Sequence, residues 1–516
     1  DDLNLGIIKD ITYFNYLCQW KIITRRILSL LQVRVITDPQ EFYRELLSRA
    51  GSASHRISMS SLYLGTGKLE RELVNLRVHW LLDFTRGSRG DFNSRKMLQP
   101  LVSSCPETCS VSLYHTPDLR GFLRHIIPQR WNETIGLQHM KLYVFDDSLV
   151  ISGANLSNDY FTNRQDRYFV FDDCPELAQF YHTIIETVGK FSLRKNLSRL
   201  NQLLKSLGQT DIDKSEECVT DSKINHSLDT IVFPTLQMGP FSITNDSVIT
   251  KKLLTTAESN SRIQLASGYF NLTEEYMQCV LQQSQANYGI LMAHPKANGF
   301  LGARGFAGAI PAAYTQLAKL FFERLQRGGA SNRISMFEYQ RPRWTFHAKG
   351  LWYYQPGHSL PSLTMIGSPN FGKCWRSVNR DLETQVIVAT RNTDLQVELH
   401  HEQERLYTSS TEVTGQTFTE RERLVPYWVR LVMPIIKGVQ KKLSGLIGED
   451  TFTVVGFLGV PPKELFLGWD TVPVKQYRPR PTRCYHCQHY CHAAKKCRAR
   501  EVCATCGGDL APAHLV

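Results

Sequence analysis

Two histidine–lysine pairs carry the chemistry of this sequence. His139 and Lys141 open the segment His139-Met-Lys-Leu-Tyr-Val-Phe-Asp146, and His347 and Lys349 open His347-Ala-Lys-Gly-Leu-Trp-Tyr-Tyr354. On a strand, residues i and i+2 share a face, so each pair sets an imidazole beside an ammonium. That combination suits phosphoryl chemistry. The imidazole attacks phosphorus or moves a proton, and the ammonium stabilises charge on the phosphoryl oxygens. A lone His on a strand is more often structural, so the weight lies on recurrence.

The surroundings recur too. Arg56-Ile-Ser-Met-Ser-Ser-Leu-Tyr63 matches Arg262-Ile-Gln-Leu-Ala-Ser-Gly-Tyr269, each alternating like a strand before a helical pattern. Each His-x-Lys is followed by a turn, Gly153-Ala-Asn155 or Gly367-Ser-Pro-Asn370. Each turn is followed by an acid after Asn-Arg: Asn163-Arg-Gln-Asp166 and Asn379-Arg-Asp-Leu-Glu383. Four features in one order define a duplicated domain. Short β-branched and aromatic runs (141–145, 149–152, 289–293, 363–366, 384–389) alternate with helical patterns (175–188, 311–327, 394–407), which predicts an α/β class. The reading divides the chain into a leader, 1–50; a first domain, 51–195; a polar linker, 196–229; a second domain, 230–447; and a basic tail, 448–516. Within the leader, Tyr13–Val35 reads as a half-buried helix or as a basic amphipathic helix lying on a membrane. Residues 420–447 read as a closing amphipathic helix.

Composition sets outer bounds. The chain has 516 residues, 42% apolar and 21% charged, which excludes global disorder and fibrous repeats. Its net charge is +12, and residues 451–516, with nine Lys/Arg against four Asp/Glu, hold +5 of it. Such a balance suits an anionic substrate or membrane surface and does not itself require nucleic acid. Six of the 13 Cys fall between Cys484 and Cys506 and the rest are scattered, which favours a reducing compartment. No apolar run is long enough for a membrane span. The chain starts at Asp1 rather than Met, so the true start and any targeting peptide are expected to be missing.

The doubled H-x-K-x(4)-D and G-S-x-N signatures resemble the phospholipase D superfamily. Further segments are similar to the eukaryotic phosphatidylglycerophosphate synthases: Tyr63-Leu-Gly-Thr-Gly67, Leu82-Asp-Phe-Thr-Arg-Gly-Ser-Arg89, Asn132–His139, Tyr160-Phe-Thr-Asn-Arg-Gln-Asp-Arg167, Gly308–Ala313 and Trp344–Trp352. The resemblance covers about residues 45–445. It implies two tandem phospholipase D-like domains, mixed sheets flanked by helices, related by a pseudo-twofold with one active site at their interface. It implies phosphatidyl transfer from CDP-diacylglycerol to glycerol 3-phosphate, peripherally on the mitochondrial inner membrane, without a catalytic metal. It assigns His139 as nucleophile and His347 as acid/base. Lys141 and Lys349 supply charge, and Asn155 and Asn370 supply hydrogen-bond donors. Asp166 and Glu383 fix the imidazole tautomers, and Asp146 completes the signature in the catalytic set. A cardiolipin or phosphatidylserine synthase, a phospholipase or a nuclease of the same superfamily is the alternative.

The sequence departs from the pattern twice. Tyr354 stands where the second signature calls for Asp, which marks that Asp as structural rather than reactive. The helix after Gly67 is also shorter than the family's usual segment. Gly65-Thr-Gly-Lys68 lacks the spacing of a nucleotide loop and reads as a strand-to-helix turn, or as a contact of Gly65 and Gly67 with a substrate phosphate. Arg86 and Arg89 suit bidentate contact with the phosphate of glycerol 3-phosphate, or a solvated loop. In the tail, Cys484-x2-Cys487-x4-His492-x4-Cys497 has the spacing of a tetrahedral zinc site. It resembles the Gag-like knuckles of retroelements, which implies zinc and single-stranded nucleic acid as partners of the tail alone.

Overall fold

Each half builds its sheet from apolar runs of four to nine residues, too short for stable helices and rich in β-branched and aromatic side chains. In the computed structural model, residues 32–74, 78–105, 107–116, 136–192, 229–241, 243–303, 308–372, 380–427, 429–430, 464–467 and 470–473 are described. The chain divides into two units, 1–447 and 448–516.

The first sheet contains β1 (Gln32–Ile36), β2 (Ile57–Ser61), β3 (His79–Asp83), β4 (Ser110–Tyr114), β5 (Leu142–Phe145), β6 (Ser148–Ser152) and β8 (Tyr168–Asp172); β7 (Arg164–Gln165) lies outside it. Its order is β1-β8-β6-β5-β2-β3-β4. Strands β2, β3 and β4 are parallel, and the others join antiparallel. The second sheet contains β9 (Thr230–Met238), β10 (Arg262–Ser267), β11 (Asn287–Ala293), β12 (Ile334–Tyr339), β14 (Lys349–Tyr354), β15 (Leu363–Gly367), β16 (Leu382–Thr390) and β17 (Ser410–Glu412). Read from β9, its order β9-β16-β15-β14-β10-β11-β12 repeats the first sheet strand for strand, with β17 added at the edge. The duplication expected from the motifs is therefore a duplication of topology.

The first half begins earlier than residue 51. Strand β1 pairs along its whole length with β8, from Gln32↔Asp172 to Ile36↔Tyr168. Helix α1 (Pro39–Ser52) follows at once, started by Asp38, whose carboxylate accepts the Gln40 N–H at 2.8 Å. Arg49 and Arg34 tie this segment to Asp172 and Glu45. The end of the expected Tyr13–Val35 helix is thus strand from Gln32 on, and the remainder lies outside the described residues. The linker 196–229 likewise lies outside them except for Asp229. At the expected closing helix, residues 421–423 form a 3-10 turn, residues 427, 429 and 430 are helical, and residues 431–447 lie outside the described residues.

Helices α2 (Lys68–Val74), α3 (Phe84–Gly87) and α4 (Ser94–Ser104) follow the first two parallel strands. The longer α5 (Pro175–Ser192), α6 (Ile310–Arg327) and α7 (Thr393–Thr408) match the helical patterns in the sequence. One apolar cluster runs through both halves, joining Leu142, Ile151 and Phe169 to Trp352, Ile366 and Val386; separate clusters fill the outer side of each sheet. At the seam, β7 pairs in parallel with β13 (Thr345–Phe346). No helix among the described residues is long and apolar enough to cross a membrane. In the second unit, β18 (Glu464–Leu467) pairs antiparallel with β19 (Asp470–Pro473). The proposed zinc ligands Cys484, Cys487, His492 and Cys497 lie outside the described residues.

Candidate active site

Both His-x-Lys pairs sit where the seam meets the ends of β5 and β14. The backbone holds them reciprocally. His139 N–H donates to Leu382 O at 2.9 Å, and His347 N–H donates to Gln165 O at 2.8 Å. The residue after each acceptor is an acid, so each histidine meets the carboxylate of the opposite half. His139 Nδ1 lies 2.8 Å from Glu383 Oε1, and His347 Nδ1 lies 2.6 Å from Asp166 Oδ2. Each acid thus bonds the imidazole of the opposite half, crosswise.

Lys141 and Lys349 are fully buried beside the rings. Lys141 Nζ donates to His139 O at 2.5 Å. Lys349 Nζ is 2.6 Å from His347 Nδ1 and 3.7 Å from Asp166 Oδ2. Burial pulls Lys141 down to about 7, with Glu383 opposing. It pulls Lys349 down to about 8, with Asp166 opposing. Burial also lowers His139, against the pull of Glu383, and lowers His347 further, helped by Lys349 and Arg164. Asp166 is raised by burial to about 6, whereas at Glu383 the His139 ring and its hydrogen bond outweigh burial and hold the carboxyl below its ordinary range. These directions favour ionised acids and neutral imidazoles. With His139 Nδ1–H on Glu383 its Nε2 lone pair is left for chemistry, whereas His347 Nε2 also meets Tyr160 Oη at 3.2 Å.

The two asparagines differ in exposure and share a spare acceptor. Asn155 is buried and its amide donates to Tyr160 Oη at 3.2 Å. The side-chain oxygens of Asn155 and Asn370 are buried without a hydrogen-bond partner among the described residues. An amide oxygen only accepts, so these two spare acceptors beside the histidines fit a ligand hydroxyl or N–H, while the amide N–H groups are the ones that suit phosphoryl oxygens. Gly153 and Gly268 are packed against this centre. A Cβ at Gly153 would come within 2.5 Å of Asp166 Oδ1, and one at Gly268 within 2.6 Å of the His347 Cα.

Three expected site residues fall elsewhere. Asp146 is in a left-handed turn (φ 49°) at the far end of β5, and its carboxylate accepts the N–H groups of Ser54, His55 and Arg56 at 2.8–2.9 Å. Slight burial would raise it, but these three bonds outweigh that and keep it low. Asp146 therefore fastens the entry to β2 and is not part of the reacting centre. Tyr354 takes the equivalent place by a different force: its ring lies 4.0 Å below the Arg262 guanidinium, where Arg56 in the first half bonds the Asp146 carbonyl. Gly65 and Gly67 are also corrected. A Cβ at either would run into the Glu70 carboxylate, which accepts the Asn158 N–H at 2.7 Å. The glycine loop cradles an internal carboxylate, and its charge opposes a phosphate at that spot.

Arg86 is half-buried and lies 5.0 Å from the Tyr63 ring centroid, while Arg89 is exposed on the loop beyond. Tyr63 and Arg86 act electrostatically on Tyr269, so they belong to the same mouth. The sequence reading missed the groups on the His347 side. Tyr160 Oη is 3.2 Å from His347 Nε2, and the rings of Tyr160 and Tyr269 stand edge-on to His347 at 5.0 and 5.4 Å. Arg164 stacks over Tyr160 at 4.6 Å and donates to Thr345 Oγ1. Its signal was present in the repeated Asn-Arg before each acid, which served only as a landmark. Among the described residues no group of three or more His, Cys, Asp or Glu is arranged to hold a metal.

Two α/β halves of one topology meet at paired His-x-Lys strands, the arrangement that the resemblance to the phospholipase D superfamily implied. A solved phosphatidylserine synthase of Haemophilus influenzae Rd KW20 has the same fold, with a TM-score of 0.60 and 18% identity over 81% of this chain and 95% of that one. No family model matches the chain. The human protein named mitochondrial CDP-diacylglycerol–glycerol-3-phosphate 3-phosphatidyltransferase is 46% identical over 464 residues, covering 79% of this chain and 83% of that protein. The chicken protein of that name is 45% identical over 469 residues, covering 80% and 84%. A Dictyostelium discoideum protein with the probable form of the name is 38% identical over 436 residues, covering 75% and 74%. The chain belongs to the CDP-diacylglycerol–glycerol-3-phosphate 3-phosphatidyltransferase family.

Proposed function

We propose that this chain moves a phosphatidyl group from CDP-diacylglycerol to sn-glycerol 3-phosphate, yielding phosphatidylglycerophosphate and CMP. The observation that carries the reading is the crosswise pairing of two imidazoles with two carboxylates beside two buried lysines. His139 is the nucleophile. Its Nδ1–H is anchored on Glu383, so the Nε2 lone pair faces the cleft, and its side chain is the more open of the two, 13% exposed against 4% for His347.

In the first step His139 Nε2 attacks the phosphorus that bears diacylglycerol. A P–N bond forms and the P–O bond to CMP breaks. Protonated His347 delivers its proton to the departing CMP oxygen. Binding of the anionic diphosphate raises the pKa of His347 and loads that proton. In the second step neutral His347 takes the proton of the 1-hydroxyl of glycerol 3-phosphate. That oxygen attacks phosphorus, the P–N bond breaks and His139 is restored. Lys141 and Lys349 with the amides of Asn155 and Asn370 stabilise the charge on the equatorial oxygens. Arg86 and Arg89 hold the phosphate of the acceptor. Peripheral placement at the mitochondrial inner membrane is part of this reading, supported by relatives named mitochondrial and by a lipid substrate. By its spacing, the Cys484, Cys487, His492 and Cys497 set takes one zinc ion in the tail, apart from this chemistry.

The test uses the full purified chain, labelled glycerol 3-phosphate, CDP-diacylglycerol and EDTA, with His139→Ala alongside. Label enters lipid with the native chain and not with the variant. Label entering lipid equally with the variant refutes the nucleophile. No transfer to glycerol 3-phosphate, with turnover on water, serine or phosphatidylglycerol instead, refutes the acceptor.

A further inference from the structure

Each half has an exposed large apolar side chain at a matching place, Phe92 in the first and Leu301 in the second. Strand β3 and strand β11 are the second parallel strands of their sheets, and each ends near a histidine: Asp83 accepts the Gln138 N–H at 3.1 Å, next to His139, and Ala293 lines a cavity with Gly268, which packs on His347. Phe92 lies nine residues beyond Asp83, the end of β3, and Leu301 eight beyond Ala293, the end of β11. Phe92 is 86% exposed and Leu301 59%, in a set of only five exposed large hydrophobics among the described residues. Each sits beside a glycine turned into the left-handed region, Gly90 at φ 80° and Gly302 at φ 75°, so the loop tip is a sharp turn that carries its apolar side chain outward.

Both loops are fastened to the site. Asn93 donates to Ser88 O and Gly90 O, and Ser94 Oγ bonds Leu64, the residue after Tyr63. Tyr63 in turn carries Arg86. In the other half, the Phe300 ring is 5.6 Å from Tyr269, which stands edge-on to His347. Exposed cations surround the first tip: Arg89, Arg95 and Lys96, against one exposed acid, Asp91. Lys296 is exposed at the base of the second. Strands leaving their carboxyl ends toward one cleft place both tips on its rim, one on each side of the seam.

We propose that this rim docks on an anionic phospholipid bilayer, with Phe92 and Leu301 entering the interface and Arg95, Lys96 and Lys296 against the headgroups. The inference rests on the transferase reading above and deepens it. A diacylglycerol diphosphate keeps its acyl chains in the bilayer, so the reacting phosphorus reaches His139 only if the rim lies at headgroup level. Two tips flanking the seam set that plane, where one tip would leave the cleft free to tilt. Isolated exposed hydrophobics need no explanation on a soluble surface, but a symmetry-matched pair ringed by cations beside a lipid-substrate cleft does.

The experiment compares the full chain with a Phe92→Ser/Leu301→Ser variant and a Arg95→Glu/Lys96→Glu variant. Binding is measured on phosphatidylcholine vesicles with and without phosphatidylglycerol, and turnover on vesicle-borne against short-chain monomeric CDP-diacylglycerol. Loss of the two apolar anchors lowers vesicle binding by about 10-fold each. Turnover on vesicles falls in step, and turnover on the monomeric substrate stays. The charge variant loses the preference for phosphatidylglycerol vesicles. Full vesicle binding by the apolar variant, with or without a change of oligomeric state, overturns the proposal, as does equal loss on both substrates. A native chain inactive on both forms of CDP-diacylglycerol counts against the transferase reading instead, and the binding arm still decides the docking.

Discussion

Glu402→Ala tests what holds the two halves in register. Arg167, in the first half, is wholly buried and faces Glu402 in the second: Nε to Oε1 and Nη2 to Oε2, both 2.8 Å. Trp352 Nε1 donates to the same carboxylate at 2.9 Å, and its ring lies 3.8 Å under the guanidinium. Met365 O and Thr364 Oγ1, both at 2.8 Å, complete the cation's shell. Removing Glu402 leaves a buried cation with only neutral acceptors and an indole N–H without one. Breaking such a pair from one side costs about 3–5 kcal/mol. That is a large share of a total stability of about 5–15 kcal/mol. The assay is urea unfolding of the full chain by tryptophan fluorescence and circular dichroism. The variant should lose its tertiary signal at a clearly lower midpoint. Removing both charges, as Arg167→Met with Glu402→Leu, should recover most of the loss, because a well-packed apolar pair replaces a desolvated ionic one at little net cost. A single variant within about 1 kcal/mol of the native chain, or a double variant weaker than the single, would refute the reasoning.

The remaining predictions concern the site. Turnover should follow a bell in pH, rising as Asp166 loses its proton near 6 and falling as Lys141 and Lys349 lose theirs near 7 and 8; a flat profile across that window contradicts the assigned charge states. Lys141→Arg should shift the falling limb to higher pH in whatever turnover remains, since guanidinium stays charged. Asp146→Ala should destabilise by about 2 kcal/mol through its three lost backbone bonds and leave the kcat of the folded chain unchanged. Glu383→Gln and Asp166→Asn should each lower kcat about a hundredfold or more with KM little altered, because the partner imidazole loses the carboxylate that fixes its tautomer. Unchanged kcat in either would detach that acid from the chemistry.

The pairs His139/Lys141 and His347/Lys349, the turn asparagines and the acids were legible in the sequence because each feature is local and occurs twice. Strand β1 was not: Gln32–Ile36 is five residues, and only its pairing with Asp172–Tyr168 distinguishes it from the preceding Ile/Leu-rich stretch. Gly65 and Gly67 misled because a glycine turn looks alike whether it receives a phosphate or the buried Glu70 carboxylate. Asp146 misled because the signature runs in sequence while the cleft does not: seven residues along an extended strand carry it to the opposite end of β5. Tyr160, Tyr269 and Arg164 reach His347 from segments far apart in the chain, which no spacing rule in one half reveals.

The exchange of carboxylates across the seam also bears on descent. A single-length ancestor with one histidine and one acid would have an incomplete centre, and a symmetric pair of such chains would complete two at once, since an isologous contact is made twice. Joining such copies end to end would keep both contacts and lift the requirement that they stay alike, so that the two histidines could take different roles. The histidine of either copy nevertheless still answers to the gene segment of the other. A substitution at Glu383 is felt at His139, 244 positions upstream, and one at Asp166 at His347, 181 positions downstream. A change in either half therefore acts on the histidine of the other.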